Sequence, residues 1–197
     1  MSLAPARPLG RPRDPACDAR ILDAALDLLA EHGYDGLTME AVAARAGVGK
    51  ATLYRRHAAK DGLVVDALAT LTEPPAAVRG RGLRDELVAL LQATTRKTGS
   101  RAGRLMPRLV SAAVDHPDLL LSYRERVITP ARKLFVTALQ RGVDSGELRA
   151  DLDLERAVDL LVGPVPYRAL LWPDQAAAPA GQVVDALLAG LTTPSRA

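Results

Sequence analysis

At 197 residues, with 48% hydrophobic but only 3% aromatic content, the chain is long enough to bury a genuine core, which excludes a short single-purpose peptide. The 26 basic and 23 acidic residues nearly cancel to a formal charge of +3, so where the charges lie says more than their total. No apolar run approaches the roughly 20 residues of a membrane span, and the lone Cys17 excludes an intramolecular disulfide framework, so a soluble cytoplasmic protein is expected.

The chain opens on MSLAPARPLGRPRDP, rich in proline, without helical periodicity and free of acid through Arg13, so residues 1–15 read as a flexible basic arm. A first helix is expected from Ala16 to His32, because Ile21, Leu22, Ala25, Leu28 and Leu29 recur at the spacing of one apolar face and Gly33 is a natural stop. Thr38 caps a second helix over Met39–Ala46, which buries Met39, Val42, Ala43 and Ala46. Gly47, Val48 and Gly49 make a tight turn into a third helix, Lys50–His57. Lys60 and Asp61 open a fourth helix that must end before Pro74 and Pro75.

Prolines and glycines between Glu73 and Gly82 mark the best boundary, giving a first unit at 16–73 and a second at 83–197. The second unit is expected to hold helices over Leu83–Thr98, Arg104–Asp115, Asp118–Arg141, Leu154–Leu171 and Gly181–Leu191. Pro107 and Pro130 must be accommodated within two of them, and Gly163-Pro164-Val165-Pro166 must kink or break another.

Ala and Leu dominate and strand signals are scarce, so the fold class is all-α. Two short helices joined by a glycine turn form a helix-turn-helix, whose second helix enters the DNA major groove. Leu53 points back into the core, leaving Lys50, Ala51, Thr52, Tyr54 and Arg55 to face outward from a stretch, Ala41 to Lys60, that contains no acid. A phosphate surface needs such donors, whereas a plain helical hairpin in a bundle does not.

The segment LTMEAVAARAGVGKATLYRRHAAKDGLV closely resembles the DNA-binding signature of the TetR family of bacterial repressors, over about Asp18 to Leu71. The resemblance implies a three-helix DNA-binding domain joined through a fourth helix to a larger helical domain for dimerisation and ligand sensing. It implies that Thr38, Thr52, Tyr54 and Lys60 hold phosphates while Lys50, Ala51 and Arg55 lie nearest the base edges. His57 belongs to the same DNA-facing set and departs from the family pattern, where an aromatic is usual; Arg56 stands where histidine is frequent. Arg11 and Arg13 sit where similar repressors reach into the minor groove, although a solubilising tail is the alternative.

In the second unit, Met106, Leu109, Val110, Tyr123, Phe135, Leu139, Tyr167 and Trp172 are candidate walls of a ligand pocket, with ordinary core as the alternative. Their sparse charge suggests a small, largely apolar effector, while Arg104, Arg108, Arg124 and Arg168 would meet an anion if they turned inward. Similar repressors dimerise through their last two long helices, which assigns Leu160, Leu161, Val162, Val184, Leu187, Leu188 and Leu191 to the interface, an intrachain core being the alternative.

His32, His57 and His116 lie in separate segments, and no phosphate loop or nucleophile elbow is present, so neither metal, cofactor nor catalysis is expected. The expected function is a sequence-specific regulator that binds a pseudo-palindromic double-stranded operator as a homodimer and is released by a small molecule. A regulator controlled by a protein partner or by abundance is the alternative, and a helical enzyme is a remote one.

Overall fold

Asp14 and Pro15 start the first helix as capping chemistry requires: the Asp14 carboxylate accepts the Ala16 N–H at 3.0 Å, and proline occupies the first turn, where no donor is needed. The structure is a computed structural model that describes residues 14–71, 82–174 and 179–191, with no strand among them. Arg11, Arg13 and most of the expected boundary at 73–82 lie outside the described residues. No helix among those described is long and apolar enough to cross a membrane.

Helices α1 (Pro15–Gly36), α2 (Met39–Ala46), α3 (Lys50–Arg56) and α4 (Lys60–Thr70) make the first unit. The helical path of α1 breaks at Gly33, whose φ of +71° is a left-handed value that a side chain would strain. A short turn through Tyr34 then delivers the chain to Thr38, so the expected stop lies where the sequence puts it.

Beyond the linker come α5 (Gly82–Gly99), α6 (Arg101–Ala112), α7 (Pro117–Tyr123), α8 (Thr129–Asp144), α9 (Leu154–Val162), α10 (Pro164–Leu171) and α11 (Ala180–Leu191). The expected long helix is divided: a π-helical turn, Arg124–Ile128, joins α7 to α8. There the Thr129 N–H bonds the Arg124 carbonyl, a wider step that seats the Pro130 ring and its missing donor. Gly163 keeps helical angles, so Pro164 interrupts rather than ends the path from α9 to α10.

Two apolar cores result. The first joins Ile21, Leu26 and Leu29 of α1 to Leu53, Leu63 and Leu68, and continues into Leu105, Leu109, Leu119 and Tyr123 of α6 and α7. Helix α1 is therefore buried on two sides, against α2 and α4 on one and α6 on the other. The second core gathers Leu87 and Leu91 of α5, Phe135 and Leu139 of α8, Val158 and Leu161 of α9, and Val184 and Leu191 of α11.

Candidate nucleic-acid interface

Thr38 is exposed and extended, and its Oγ1 accepts the Ala41 N–H at 3.2 Å, fixing the start of α2. At the other end Gly47 takes a left-handed φ of +65°, its N–H bonds back to the Ala43 and Ala44 carbonyls, and the Val48 N–H bonds Ala43 O at 3.0 Å. The sharp reversal sends α3 off at once, with Thr52 and Leu53 bonding back to Gly49 O.

Helix α3 has one buried anchor, Leu53, at 0% exposure. Because the helix has a single inward residue, Lys50, Ala51, Tyr54 and Arg55 all stand exposed, with Thr52 half-buried beside them. Tyr54 is a large aromatic left 45% exposed. Arg55 makes no ion pair among the described residues, whereas Arg56 turns away to Asp18 on α1. Lys50 Nζ lies 3.4 Å from Glu40 Oε1. The α2 backbone first, then Lys50, and least of all Tyr54, hold the Glu40 carboxyl below the usual range. Glu40 thus engages Lys50 and Tyr54, two outward donors of α3, with its carboxylate. Replacing Glu40 by Gln is expected to strengthen binding to every DNA sequence by about two- to fivefold, the weight of one exposed ion pair, in a filter-binding titration.

Two members of the expected set face inward. His57 is 11% exposed at its side chain and its Nδ1 lies 3.1 Å from Asp66 Oδ2, so it locks the end of α3 onto α4. Lys60 donates from Nζ to the Tyr34 carbonyl at 2.8 Å and lies 4.0 Å over the Tyr34 ring, clamping α4 to the end of α1. Both positions carry polar side-chain types that sequence alone cannot distinguish from surface ones. Asp66 also pairs with Arg126 of the π turn, so one carboxylate touches both the end of α3 and the second unit. His116, at the start of α7, meets the Tyr34 ring at a tilt of 56° with 4.7 Å between centroids and reaches Asp35 at 2.9 Å, a second contact between the units.

The expected ligand wall does not converge. Met106, Leu109 and Tyr123 pack in the first core, Phe135 and Leu139 in the second, and Val110 and Tyr167 are surface residues at 53% and 55% exposure. Burial pushes the Tyr123 hydroxyl up to about 12, the environment of core. Side-chain size marks a residue as buried without choosing between two cores. Of the eight, Trp172 alone lines a cavity of about 410 Å³ between α5 and α10, flanked by Arg104 of α6 and Val183 of α11.

The expected dimer set divides as well: Leu161, Val184 and Leu191 are in the second core and Val162, Leu187 and Leu188 pack against it, while Leu160 is 62% exposed. Tyr167, Leu170 and Leu171 of α10 are exposed with it. Helix α10, which opens on Pro164, has no buried residue.

Residues 21–67 match the family of sequences described as bacterial regulatory proteins, tetR family, and residues 80–191 match the tetracyclin repressor-like C-terminal domain. The HTH-type transcriptional regulator YdeS of Bacillus subtilis is 37% identical over 168 residues, 84% of either chain. The DNA-binding transcriptional repressor TetR of Mycobacteroides abscessus is 31% identical over 180 residues, 89% of this chain and 94% of that one. Among solved structures, the TetR family transcription regulator SCO0332 superposes with a TM-score of 0.67 at 32% identity, covering 90% of this chain and 99% of that one.

Proposed function

The chain belongs to the TetR family of bacterial regulators, and on that premise we propose that it is a homodimeric repressor whose paired α3 helices enter successive major grooves of a pseudo-palindromic operator. The observation that carries this reading is the row Lys50, Ala51, Thr52, Tyr54 and Arg55, displayed by a helix whose single buried side chain is Leu53. Thr38, Thr52 and Tyr54 supply hydroxyls to phosphates, and Lys50 and Arg55 reach base edges. The exposed Leu160, Tyr167, Leu170 and Leu171 form the face on which two copies meet.

A small molecule in the cavity beside α5 and α10 relaxes the grip on DNA. The Arg126–Asp66–His57 chain of contacts and the His116–Asp35 contact connect the second unit to α3 and to the turn before α2. An effector that binds more tightly to a state in which these contacts shift draws the two recognition helices off register with the grooves.

Tyr54→Ala and Thr52→Ala test the assignment of α3. Each should weaken binding to all DNA sequences by about 1.5–3 kcal/mol, the scale of a hydrogen bond to a charged group, while sedimentation shows an intact dimer. DNA affinity equal to that of the parent protein in both variants would remove α3 from the interface.

A further inference from the structure

The cavity between α5 and α10 has a chemistry that narrows its ligand. Leu91, Val165 and Val183 give it apolar walls, the two arginines Arg104 and Arg168 line it as well, and no carboxylate is among its lining residues. Arg104 bonds the Gly99 carbonyl from Nη1 at 3.1 Å, which spends one of five guanidinium donors and holds the group at the end of α5. Thr95 and Thr98 turn their hydroxyls to the Leu91 and Thr94 carbonyls of their own helix, so they add little polarity of their own. The wider cleft of about 550 Å³ between α5 and α8 differs, because two carboxylates, Glu86 and Glu147, line it beside Arg141. Of the four arginines able to meet an anion, the fold brings these two to one cavity and leaves Arg108 and Arg124 away from it.

We propose that this cavity binds a small organic acid, a single carboxylate on an apolar body, with Arg104 and Arg168 holding the carboxylate and Leu91, Val165 and Val183 the body. The assignment rests on reading the cavity as the effector site. A planar guanidinium matches a carboxylate with paired N–H donors, a charge-assisted contact stronger than a neutral hydrogen bond. The volume lies within the range of small-molecule sites.

Trp172 is the sole tryptophan of the chain and lines the cavity, so its fluorescence reports occupancy directly. The test titrates the intact dimer with decanoate and with 1-decanol, which share a body and differ in the charge. Decanoate should change Trp172 emission saturably and bind at least about tenfold more tightly than decanol, a charge-assisted contact against a neutral one. Arg104→Gln/Arg168→Gln should erase that preference while leaving decanol binding as it was, and Arg104→Lys/Arg168→Lys should restore part of it. Equal binding of the two probes, or a decanoate preference that survives the double glutamine variant, would overturn the assignment. Release of operator DNA is followed in the same titration: decanoate that binds as described yet leaves the operator complex intact supports the site and defeats only its regulatory role.

Discussion

Leu53→Ala is expected to abolish operator recognition while leaving a folded dimer. Leu53 is the one buried side chain of the seven-residue α3, at 0% exposure, so its truncation removes the whole apolar attachment of that helix. The loss of a buried leucine costs about 2–5 kcal/mol, and an isolated helix shorter than about 12 residues does not hold itself together in water. The remaining side-chain ties are Arg56 to Asp18 and His57 to Asp66 at the C-terminal end of α3 and the exposed Lys50–Glu40 pair at its N-terminal end, none of which supplies apolar burial. Sedimentation should report the same dimer, since the second core lies in the other unit, and gel shift should show operator affinity fallen to that for unrelated DNA. Leu53→Met, which conserves volume, should retain operator binding. Full operator affinity in Leu53→Ala would mean that something other than this anchor orients the recognition helix.

The joint variant Leu160→Glu/Leu170→Glu should dissociate the dimer. Both side chains are exposed, at 62% and 61%, so the substitutions remove little intrachain packing and the helical content should be unchanged. Placing like charges across a two-fold axis brings each glutamate near its symmetry mate, and a self-complementary apolar face cannot tolerate that. Two linked half-sites bind more tightly than one by about 10²- to 10⁴-fold through effective concentration alone, and a monomer forfeits that factor. Analytical ultracentrifugation should therefore show a monomer, with operator affinity lower by at least about 10²-fold. A dimer that persists would place the interface elsewhere, with α11 as the next surface to alter.

What could be read from the sequence divides along a physical line. Helix α2 is legible to the residue, Met39–Ala46, because both of its ends carry local chemistry: a threonine cap and a left-handed glycine. The outward row of α3 is legible for the same kind of reason, since one inward leucine settles the phase of a short helix. Pro130 announces a disturbance, but the form it takes, a π turn one step before it, depends on how α7 and α8 continue one another. The roles of His57 and Lys60 depend on partners distant along the chain: Asp66 on the next helix and the Tyr34 carbonyl 26 residues earlier. Pairings set by tertiary structure leave no trace in local spacing. The cavity is the extreme case, because its walls come from α5, α6, α10 and α11, and the residues that mark it are two arginines and a tryptophan rather than the large apolar side chains that fill the cores.

The most direct test of the central claim selects an operator from a random-sequence DNA pool with the purified protein. The winner is then measured by gel shift across a salt series against a scrambled duplex of the same composition. The account predicts a selected site with two-fold symmetry, bound at least about 10³-fold more tightly than the scrambled duplex and weakening steeply as salt rises. Selection of no common sequence, with equal weak binding to both duplexes, would contradict it.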